Sequence, residues 1–401
     1  MRSLRILHVI RSLRPESGGP MEGIRRLALI ARQQGYELET VSLDSPGEPF
    51  LADMPFRVHP LGPAMGKYGY TANLRPWMDA HASEFDGVVI NGLWQYHGLG
   101  TWRSIRKRVP YVVFTHGMLD PYFKRRYLLK HIKKWLYWVP VQYWVLRYAD
   151  RVLFTTSLER DLAAQSFWLW HWKPMVVSYG ADPQLPEIQK LVPAFLETCS
   201  ELANAPATTR YLLFLGRIDP KKGCDLLLQA FAVVAHEHPD VHIIMAGPAA
   251  WRWREQLQKI VDGAGLTDRV HWPGMLRGDA KWGAFAACEA FVLPSHQENF
   301  GIAVAEALAC GRPVLISNQV NIFPEIVADG CGFAEPDTLD GTIRLLQRWL
   351  ALTPEQRQAM GRQAQDTFAT RYDMRRNSAA IYRTFGTLAP PPTPPPLTEA
   401  P

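Results

Sequence analysis

The stretch FVLPSHQENFGIAVAEALACGRPVL, residues 291–315, decides the fold. It begins with a short apolar run typical of a buried strand, and a polar loop leads from that run into small and apolar residues at helical spacing. Gly311 then ends the helix, and Pro313 opens a further apolar run. A strand, a helix and a second strand in this order predict a unit of parallel sheet covered by helices.

The same alternation runs through the whole chain. In the first half it predicts a helix over 21–34 and strands over 5–10, 38–43, 87–90, 111–114, 152–154 and 175–178. In the second half it predicts helices over 225–236 and 301–310 and strands over 211–215, 241–245, 270–272, 290–293 and 313–317. Both halves have the pattern of a Rossmann-like domain, so the predicted fold class is α/β.

A polar stretch punctuated by prolines separates the two series. We predict an N-terminal domain over 1–182, a linker over 183–208 and a C-terminal domain over 209–372. Ligands of parallel sheets bind beyond the carboxyl ends of the strands, so two facing domains predict an interdomain cleft as the binding site. The tail APPPTPPPLTEAP, residues 389–401, is predicted to be disordered or polyproline II.

The composition is that of a globular protein, with 47% hydrophobic and 20% charged residues among 401. The sequence contains no run of the ~18 uninterrupted apolar residues that a membrane span needs. The five cysteines form no C-x-x-C pair, which argues against a disulfide framework or a zinc knuckle. His8 and Arg11 interrupt the opening apolar run, so we interpret it as the first strand of a cytoplasmic protein rather than a signal peptide.

Two glutamates lie at the start of the predicted helix 301–310. Glu298 lies just before it and Glu306 lies inside it. The amides of Asn299, Phe300 and Gly301 have no partner within a helix, so with the helix dipole they can hold an anion such as a pyrophosphate. Each carboxylate can accept hydrogen bonds from hydroxyls on one side of that anion. The alternative interpretation is a surface helix with two solvated glutamates.

Two cations follow the carboxyl end of an earlier predicted strand, in LFLGRIDPKKGCDLLLQAF, residues 213–231. Arg217 follows the strand and Lys222 precedes the next helix. Cations in these positions can neutralise a diphosphate as it leaves. The alternative is a solvated turn.

Two loops of the first half are further candidates. In SGGP, residues 17–20, paired glycines let backbone amides approach a phosphate, although a double glycine is more often only a turn. In FTHGMLDP, residues 114–121, His116 ends a strand and either contacts substrate or is structural. The chain contains no G-x-G-x-x-G fingerprint of a dinucleotide site.

Taken together, these motifs resemble the family 4 glycosyltransferases, also called glycosyl transferases group 1, of the two-domain GT-B fold. The resemblance is to members of the polysaccharide-biosynthesis type. It runs from ILHVI through SGGP, THGMLDP, GRIDPKKG and PGML to Glu298 and Glu306, and it covers residues 4–386. It implies a retaining transferase that moves a sugar from a nucleotide diphosphate sugar without a metal or another cofactor. It also implies that a last helix, 373–388, crosses back to the first domain.

The resemblance also implies a role for each matching residue. Arg217 and Lys222 would bind the donor diphosphate, and His116 would lie near the donor sugar; with Glu298 they form the predicted catalytic set. Glu298 and the amides after it would hold the donor sugar, and Glu306 would bind the ribose. The predicted donor-binding residues are Gly18, Gly19, Met275, Leu276, Asn299, Phe300, Gly301 and Glu306, and the predicted acceptor-binding residues are His97 and Asp120.

Retention of configuration constrains the mechanism. A double displacement needs a carboxylate nucleophile beneath the reacting carbon, and the family shows no agreed one. We therefore expect a front-face substitution in which the departing diphosphate takes the proton of the incoming hydroxyl. In that scheme Glu298 positions the donor sugar and is not the nucleophile. The sequence has no D-x-D pair near the predicted cleft edge, which agrees with a reaction that uses no metal.

The positive charge is concentrated in one segment. Residues 1–200 carry a formal net charge of +8 and the remainder −2, and KRRYLLKHIKK, residues 124–134, supplies much of the excess. The cations are Lys124, Arg125, Arg126, Lys130, Lys133 and Lys134, and beside them Leu128, Ile132, Trp135, Leu136 and Val139 form an apolar stripe. A basic amphipathic helix of this kind predicts a membrane-surface element. The alternative is a basic outer face over an ordinary core stripe.

The leading hypothesis is a cytoplasmic glycosyltransferase, peripheral on the inner face of the membrane. It would use a UDP- or GDP-sugar to extend a lipid-linked glycan in exopolysaccharide, capsule or O-antigen synthesis. A rival enzyme is a soluble sucrose- or trehalose-type synthase, or a phosphorylase, of the same fold. The rival of another class is a catalytically silent membrane scaffold. Nucleic acid is not an expected partner, because no binding module is present.

Overall fold

The computed structural model describes residues 3–15, 19–122, 124, 128–178, 180–181, 187–202 and 205–388. The chain divides into two compact units. The first comprises Met1–Phe154, Arg160–Val177 and Arg376–Pro401, and the second comprises Thr155–Glu159 and Ser178–Arg375. The predicted tail 389–401 lies outside the described residues.

The first unit is built on a parallel sheet. Its described strands are β1 (Leu4–Ile10), β2 (Tyr36–Ser42), β3 (Arg57–Pro60), β4 (Gly87–Asn91), β5 (Tyr111–Phe114), β6 (Arg151–Phe154) and β7 (Pro174–Val176). They lie in the order β3-β2-β1-β4-β5-β6-β7, and every neighbouring pair is parallel. The strand order reverses between β1 and β4, which makes the carboxyl ends of these two strands the expected ligand-binding edge of the sheet.

Helices connect these strands. They are α1 (Gly19–Gln33), α2 (Leu74–His81), α3 (Tyr96–Ile105), α4 (Leu128–Tyr137), α5 (Tyr143–Arg147) and α6 (Ser157–Ala163), and a π-helical turn over Trp138–Gln142 joins α4 to α5. In α1, Ile24, Leu27 and Ala31 recur at helical spacing and are buried. Trp138, Phe114 and Phe154 are among the largest fully buried side chains and fill the core beside the sheet.

The second unit repeats the same design. Its strands are β8 (Arg210–Leu215), β9 (Val241–Ala246), β10 (Val270–Gly274), β11 (Ala290–Leu293), β12 (Val314–Ser317) and β13 (Gly332–Glu335). They form a parallel sheet in the order β10-β9-β8-β11-β12-β13. Here the order reverses between β8 and β11, so the loops that follow these two strands lie side by side.

The helices of the second unit follow in chain order. They are α7 (Val192–Thr198), α8 (Cys224–Val234), α9 (Trp251–Gly263), α10 (Gly278–Ala287), α11 (Ile302–Ala309), α12 (Phe323–Ala328), α13 (Leu339–Leu350) and α14 (Pro354–Thr367). A π-helical turn over Phe368–Tyr372 ends α14, and α15 (Met374–Leu388) follows. Phe214, Phe231, Phe285 and Phe291 are fully buried among these elements.

Residues 188–198 belong to the second unit, although the sequence predicts a linker over 183–208. A short 3-10 turn over Ile188–Leu191 leads into α7, and Phe195 of α7 is fully buried. Gly283 of α10 lies so close that a Cβ there would come 2.2 Å from the carbonyl oxygen of Leu191. This contact fixes the segment on the unit; residues 182–186 and 203–204 lie outside the described part of the chain.

Most of α15 belongs to the first unit. Tyr382 stacks on Tyr36 with ring centroids 4.4 Å apart. Phe385 lies against Gly87, where an added Cβ would come 2.1 Å from the ring. The hydroxyl of Ser378 also donates a hydrogen bond to Gln34 over 3.2 Å.

Candidate functional site

A lysine and a glutamate meet at the carboxyl edge of the second sheet. Lys222 ends the loop after β8, and Glu298 ends the loop after β11. The ammonium Nζ of Lys222 donates to Oε2 of Glu298, and both side chains are about four-fifths buried. The sequence predicts both residues as part of the site, and the structure brings them into direct contact.

Close backbone packing holds together the two loops that carry Lys222 and Glu298. Asp219 caps the turn Pro220–Lys222 by accepting from the amide of Lys221. Gly223 follows with a φ of +66°, and a Cβ there would come 2.1 Å from the carbonyl oxygen of Pro294. Only glycine allows so close an approach in that conformation. The carbonyl of Lys221 in turn accepts from the hydroxyl of Ser295 at 3.0 Å.

The Glu298 carboxylate stays ionised because a cation faces it. Burial alone would raise the pKa of Glu298, but the nearby ammonium groups of Lys222 and Lys221 and a backbone hydrogen bond from Asn299 lower it below the ordinary value. The backbone of Glu298 is also fixed, since its amide donates to Gln319 at 2.9 Å and its carbonyl accepts from Asn321 at 3.0 Å. The group is therefore a rigid anion with a counter-cation beside it.

Arg217 is an exposed cation at this edge. It follows Gly216, whose amide donates to the carbonyl of Ala246 at 3.0 Å. Gly247 lies directly against this turn, because a Cβ there would come 1.7 Å from the carbonyl oxygen of Gly216. The turn is thus fixed while the guanidinium of Arg217 lies open to solvent, where it can receive an anion.

The predicted anion-binding amides lie where α11 begins. Gly301 caps the helix in the left-handed conformation with a φ of +77°. Phe300 is buried and packs edge-on against Tyr372 at 5.6 Å. The amide of Asn299 is used by Glu298, and its side-chain Nδ2 donates to Thr155 at 3.0 Å and to Glu159 at 3.2 Å.

Glu306 has a partner that sequence reasoning missed. Its side chain is 4% exposed, and Oε1 accepts a hydrogen bond from Nζ of Lys281 at 2.8 Å. Lys281 lies on α10, with its ammonium 4.1 Å from the ring centre of Trp282. A single lysine in GDAKWGAFAA gives no distinct signal, because that helix otherwise reads as a run of small and apolar core residues.

Met275 and Leu276 follow β10 and differ in exposure. Met275 is 56% exposed and Leu276 is 8% exposed. The sulfur of Met275 lies 3.3 Å from Nε and 3.2 Å from a terminal nitrogen of Arg277. Met275 is therefore accessible to a ligand at this edge, whereas Leu276 is buried.

His116 lies at the carboxyl edge of the first sheet, just after β5. Its backbone has a φ of +50°, an uncommon left-handed conformation for a residue with a side chain. The ring stacks on Phe114 with centroids 4.5 Å apart, and Nε2 lies 3.2 Å from Oδ1 of Asn91. Asn91 ends β4, and sequence reasoning missed it.

His97, on α3, is buried next to Asn91. It is 1% exposed, and its Nε2 lies 2.8 Å from the backbone carbonyl oxygen of Asn91. The structure therefore buries His97 beneath Asn91, where direct contact with a dissolved acceptor needs a local opening. His8 completes the group, with Nδ1 3.3 Å from Nδ2 of Asn91.

Burial keeps all three histidines neutral at ordinary pH. It lowers the pKa of His8 to about 3, of His97 to about 4 and of His116 to about 3. Proximity to His8 and His97 lowers the pKa of His116 further. A neutral imidazole donates a hydrogen bond from one ring nitrogen and accepts one at the other, without carrying a charge.

Asp120 and Gly19 complete the predicted residues of the first unit. Asp120 is 8% exposed, and its carboxylate accepts from the amide of Tyr122 at 2.7 Å. Gly19 is the first residue of α1. Gly18 lies outside the described residues.

The basic amphipathic segment forms α4 and exposes its apolar stripe. Leu128 is 63% exposed, Ile132 53% and Leu136 77%. These three side chains therefore do not pack as an ordinary core face among the described residues of the unit, whereas Trp135 of the same stripe is partly buried against the core. Trp135 contacts Trp168, which is itself 79% exposed.

The lysines lie beside this stripe. Lys124, Lys130 and Lys133 are exposed, whereas Lys134 is partly covered, with its ammonium 4.5 Å from the ring centre of Trp94. Burial and the neighbouring Lys130 lower the pKa of Lys134 to about 8. Arg125 and Arg126 lie outside the described residues.

The described residues offer neither a cluster of metal ligands nor a membrane-spanning helix. Among the described residues, no group of three or more His, Cys, Asp or Glu side chains is arranged to hold a metal ion. Within the same part of the chain, no helix has the length and apolar character to cross a membrane.

Two family profiles match the chain. "Glycosyl transferase 4-like domain" matches residues 18–180, and "Glycosyl transferases group 1" matches residues 200–367. A D-inositol 3-phosphate glycosyltransferase of Saccharomonospora viridis is 29% identical over 247 residues, covering 59% of this chain and 55% of that protein. The alpha-D-kanosaminyltransferase of Streptomyces kanamyceticus is 28% identical over 69% of this chain and 71% of its own length. The match to the first of these relatives thus spans little more than half of its length.

Solved structures share the fold at low sequence identity. Sucrose-phosphate synthase of Thermosynechococcus elongatus has a TM-score of 0.75 at 19% identity, covering 96% of this chain and 99% of its own. HepE of Anabaena, solved with UDP and glucose, has a TM-score of 0.73 at 18% identity, covering 96% and 100%. The predicted α/β fold of GT-B type is confirmed. With one profile over each half, the chain belongs to the glycosyl transferases group 1 family.

Proposed function

We propose that this protein is a retaining glycosyltransferase that moves a sugar from a UDP- or GDP-sugar to a hydroxyl of a lipid-linked glycan. The observation that carries the proposal is the pair of lysine–glutamate contacts in the second unit, Lys222 with Glu298 and Lys281 with Glu306. They place two largely buried carboxyl groups, each with a lysine ammonium beside it, in one unit of parallel sheet. Such an arrangement suits a ligand with a diphosphate between two sets of hydroxyls.

The cations would stabilise the leaving group. When the bond between the sugar carbon and the diphosphate oxygen breaks, negative charge develops on the diphosphate. Arg217 is exposed and Lys222 is held at the sheet edge, so both can meet that charge without rearranging the loop. We propose that these two side chains take the part that a metal ion plays in other transferases.

The Glu298 carboxylate would position the sugar rather than attack it. Its bond to Lys222 and its lowered pKa make it a weak base and a stabilised anion. We therefore propose front-face substitution: the acceptor oxygen bonds to the sugar carbon on the side from which the diphosphate departs. The acceptor proton passes to a diphosphate oxygen, so the charge balances and the configuration is retained.

The exposed face of α4 would dock on a lipid surface. Leu128, Ile132 and Leu136 present apolar area to solvent, and Lys130 and Lys133 lie beside them. Apolar side chains enter the acyl boundary while lysines meet anionic headgroups. We propose that this docking holds the enzyme on the inner face of the membrane, where a lipid-linked acceptor of exopolysaccharide, capsule or O-antigen synthesis is accessible.

Two measurements test the function. A thermal-shift panel of UDP-, GDP- and ADP-sugars should give stabilisation by one nucleotide class, because a bound donor stabilises the folded state. Radiolabelled donor incubated with membranes should then yield label in the solvent-extractable lipid fraction. No response to any donor would overturn the assignment as an enzyme. Transfer only to soluble sugars would overturn the lipid-linked acceptor and favour a synthase of the same fold.

A further inference from the structure

A cavity of about 790 Å³ lies at the amino-terminal edge of the second sheet. Glu289 and Pro313 line it, and they directly precede β11 and β12. Lys222 and Glu298 follow strands of the same parallel sheet, so they lie at its other edge. The residues that line the cavity all belong to the second unit. The cavity is therefore separate from the site that contains Lys222 and Glu298.

The turn after α11 forms one wall of this cavity. Gly311 has a φ of +67°, and its amide donates to the carbonyl oxygen of Leu308 at 2.9 Å. The amide of Arg312 donates to the carbonyl oxygen of Ala307 at 2.8 Å. These two bonds form a Schellman motif, which fixes the backbone of Arg312. Gly361 of α14 lies against the same turn, because a Cβ there would come 2.9 Å from the carbonyl oxygen of Gly311.

One face of α14 forms the opposing wall. Its residues recur at helical spacing and line the cavity; they are Arg357, Gln358, Gly361, Arg362 and Gln365. Four of them are long side chains whose polar ends donate hydrogen bonds. The helix therefore contributes guanidinium and amide donors to the cavity.

Among the described residues, two carboxylates line the cavity, and both already have cationic partners. Glu289 accepts from Arg357 at 3.0 Å and from Arg210 at 2.7 Å. Glu187 forms an ion pair with Lys190 at 2.7 Å. Neither carboxylate is left to neutralise a further arginine.

Arg312 and Arg362 lack such a partner. No ion pair joins either guanidinium to a carboxylate of the described residues, and Nε of Arg312 is buried there without a hydrogen-bond partner. A guanidinium stays charged at every ordinary pH, and a buried polar atom usually has an acceptor. The cavity thus contains two positive charges that no carboxylate in the described part of the chain balances.

We infer that this cavity binds a phosphate monoester carried on a neutral organic group, with Arg312 and Arg362 contacting the phosphate. A planar guanidinium donates two parallel hydrogen bonds to phosphate oxygens. The volume lies within the usual range of small-molecule sites and exceeds what inorganic phosphate alone would fill. The amides of Gln358 and Gln365 can exchange hydrogen bonds with hydroxyls of the organic group. Because the cavity lies at the other edge of the sheet, this inference does not depend on the proposed function.

Isothermal titration calorimetry of the full-length protein tests the ligand class. The probes are glucose 6-phosphate, glycerol 3-phosphate, inorganic phosphate, glucose and citrate. At least one of the two esters should bind with a Kd below about 1 mM, and the other three probes should bind at least about tenfold more weakly. Binding by neither ester, or binding of citrate or inorganic phosphate as tight as that of the ester, would overturn the inference.

Variants locate the binding. Arg312→Met and Arg362→Met each remove one guanidinium and should raise the Kd of the ester at least about tenfold, the usual effect of losing a hydrogen bond to a charged group. Arg217→Met, at the carboxyl edge of the sheet, is the matched control and should leave that Kd unchanged. Arg362 is exposed, so Arg362→Met keeps the fold and remains informative if Arg312→Met does not fold. Binding that is unchanged in Arg362→Met or in folded Arg312→Met, or that is lost in Arg217→Met, would overturn the inference.

Discussion

Lys281 donates a hydrogen bond from Nζ to Oε1 of Glu306 over 2.8 Å, and it joins the middle of α10 to the middle of α11. The glutamate is 4% exposed and the lysine 17%. A carboxylate buried to this degree needs a partner, because the desolvation of an unpaired charge is costly. Lys281 therefore supplies a positive charge beside a carboxyl group that is almost fully buried.

Lys281→Met should destabilise the protein by about 3 kcal/mol, because it leaves the Glu306 carboxylate buried without its cation. It should also raise the KM for the nucleotide sugar, since the Glu306 side chain then loses the hydrogen bond that holds it in place. Chemical denaturation and donor kinetics would measure the two effects. The matched control is Lys259→Met, an exposed lysine on α9. Equal behaviour of the two variants would contradict the role of Lys281.

The contact between Lys281 and Glu306 also shows where sequence reasoning stops. Glu306 could be predicted because it lies at a fixed spacing from Glu298, on a helix that follows a recognisable strand and loop. Lys281 lies on another helix, and its approach to Glu306 depends on how α10 packs beside α11. Periodicity predicts which face of a helix is buried, but it does not predict which residue of a neighbouring helix lies opposite.

The fold itself was largely predictable for a simple physical reason. Buried parallel strands such as β8 and β11 are continuous apolar runs between polar loops, and the sequence predicts both. The edge strands β3, RVHP, and β13, GFAE, lack that signal and escaped prediction. Asn91 was not predicted as a site residue either, because a single polar residue at the end of a strand indicates no function unless its neighbours in space are known.

Lys222→Met should lower kcat by about 10²–10³, the usual effect of removing one group that stabilises developing charge. The KM for the donor should change less, because the charge on the diphosphate grows mainly as the bond breaks. Steady-state kinetics would separate the two constants. A rise in KM alone, with kcat unchanged, would mean that Lys222 only binds the ground state.

Lys222→Met should also raise the pH below which the folded protein begins to lose stability. In the wild type the pKa of Glu298 lies below its ordinary value, so the stability that its ionised form contributes is present near neutral pH. That contribution is lost as the pH falls through the lowered value. In Lys222→Met burial is no longer offset and the pKa of Glu298 should rise. The loss should therefore begin at a higher pH, as unfolding curves at several pH values would show.

Gly223→Ala should destabilise the second unit and lower activity together. The residue has a φ of +66°, and its Cβ would come 2.1 Å from the backbone carbonyl oxygen of Pro294. A left-handed alanine alone costs about 1–2 kcal/mol, and the clash must separate the loops that carry Lys222 and Glu298. Gly263→Ala, where a Cβ would meet nothing within 4 Å, is the matched control. If both variants keep wild-type activity and stability, the close approach of the loops is not needed.

Paired serine substitutions at Ile132 and Leu136 should abolish binding to vesicles that contain anionic lipid. The two side chains are 53% and 77% exposed and lie one turn apart on α4, so they offer apolar area to the acyl boundary. Leu29→Ser is a suitable control, because Leu29 is 48% exposed but lies on α1 and not on the basic helix α4. Vesicle sedimentation should also weaken as salt is added, since Lys130 and Lys133 act on the headgroups through screened charge. Binding that persists in the double variant would mean that another surface meets the membrane, and binding lost equally in Leu29→Ser would mean that the effect is not specific to α4.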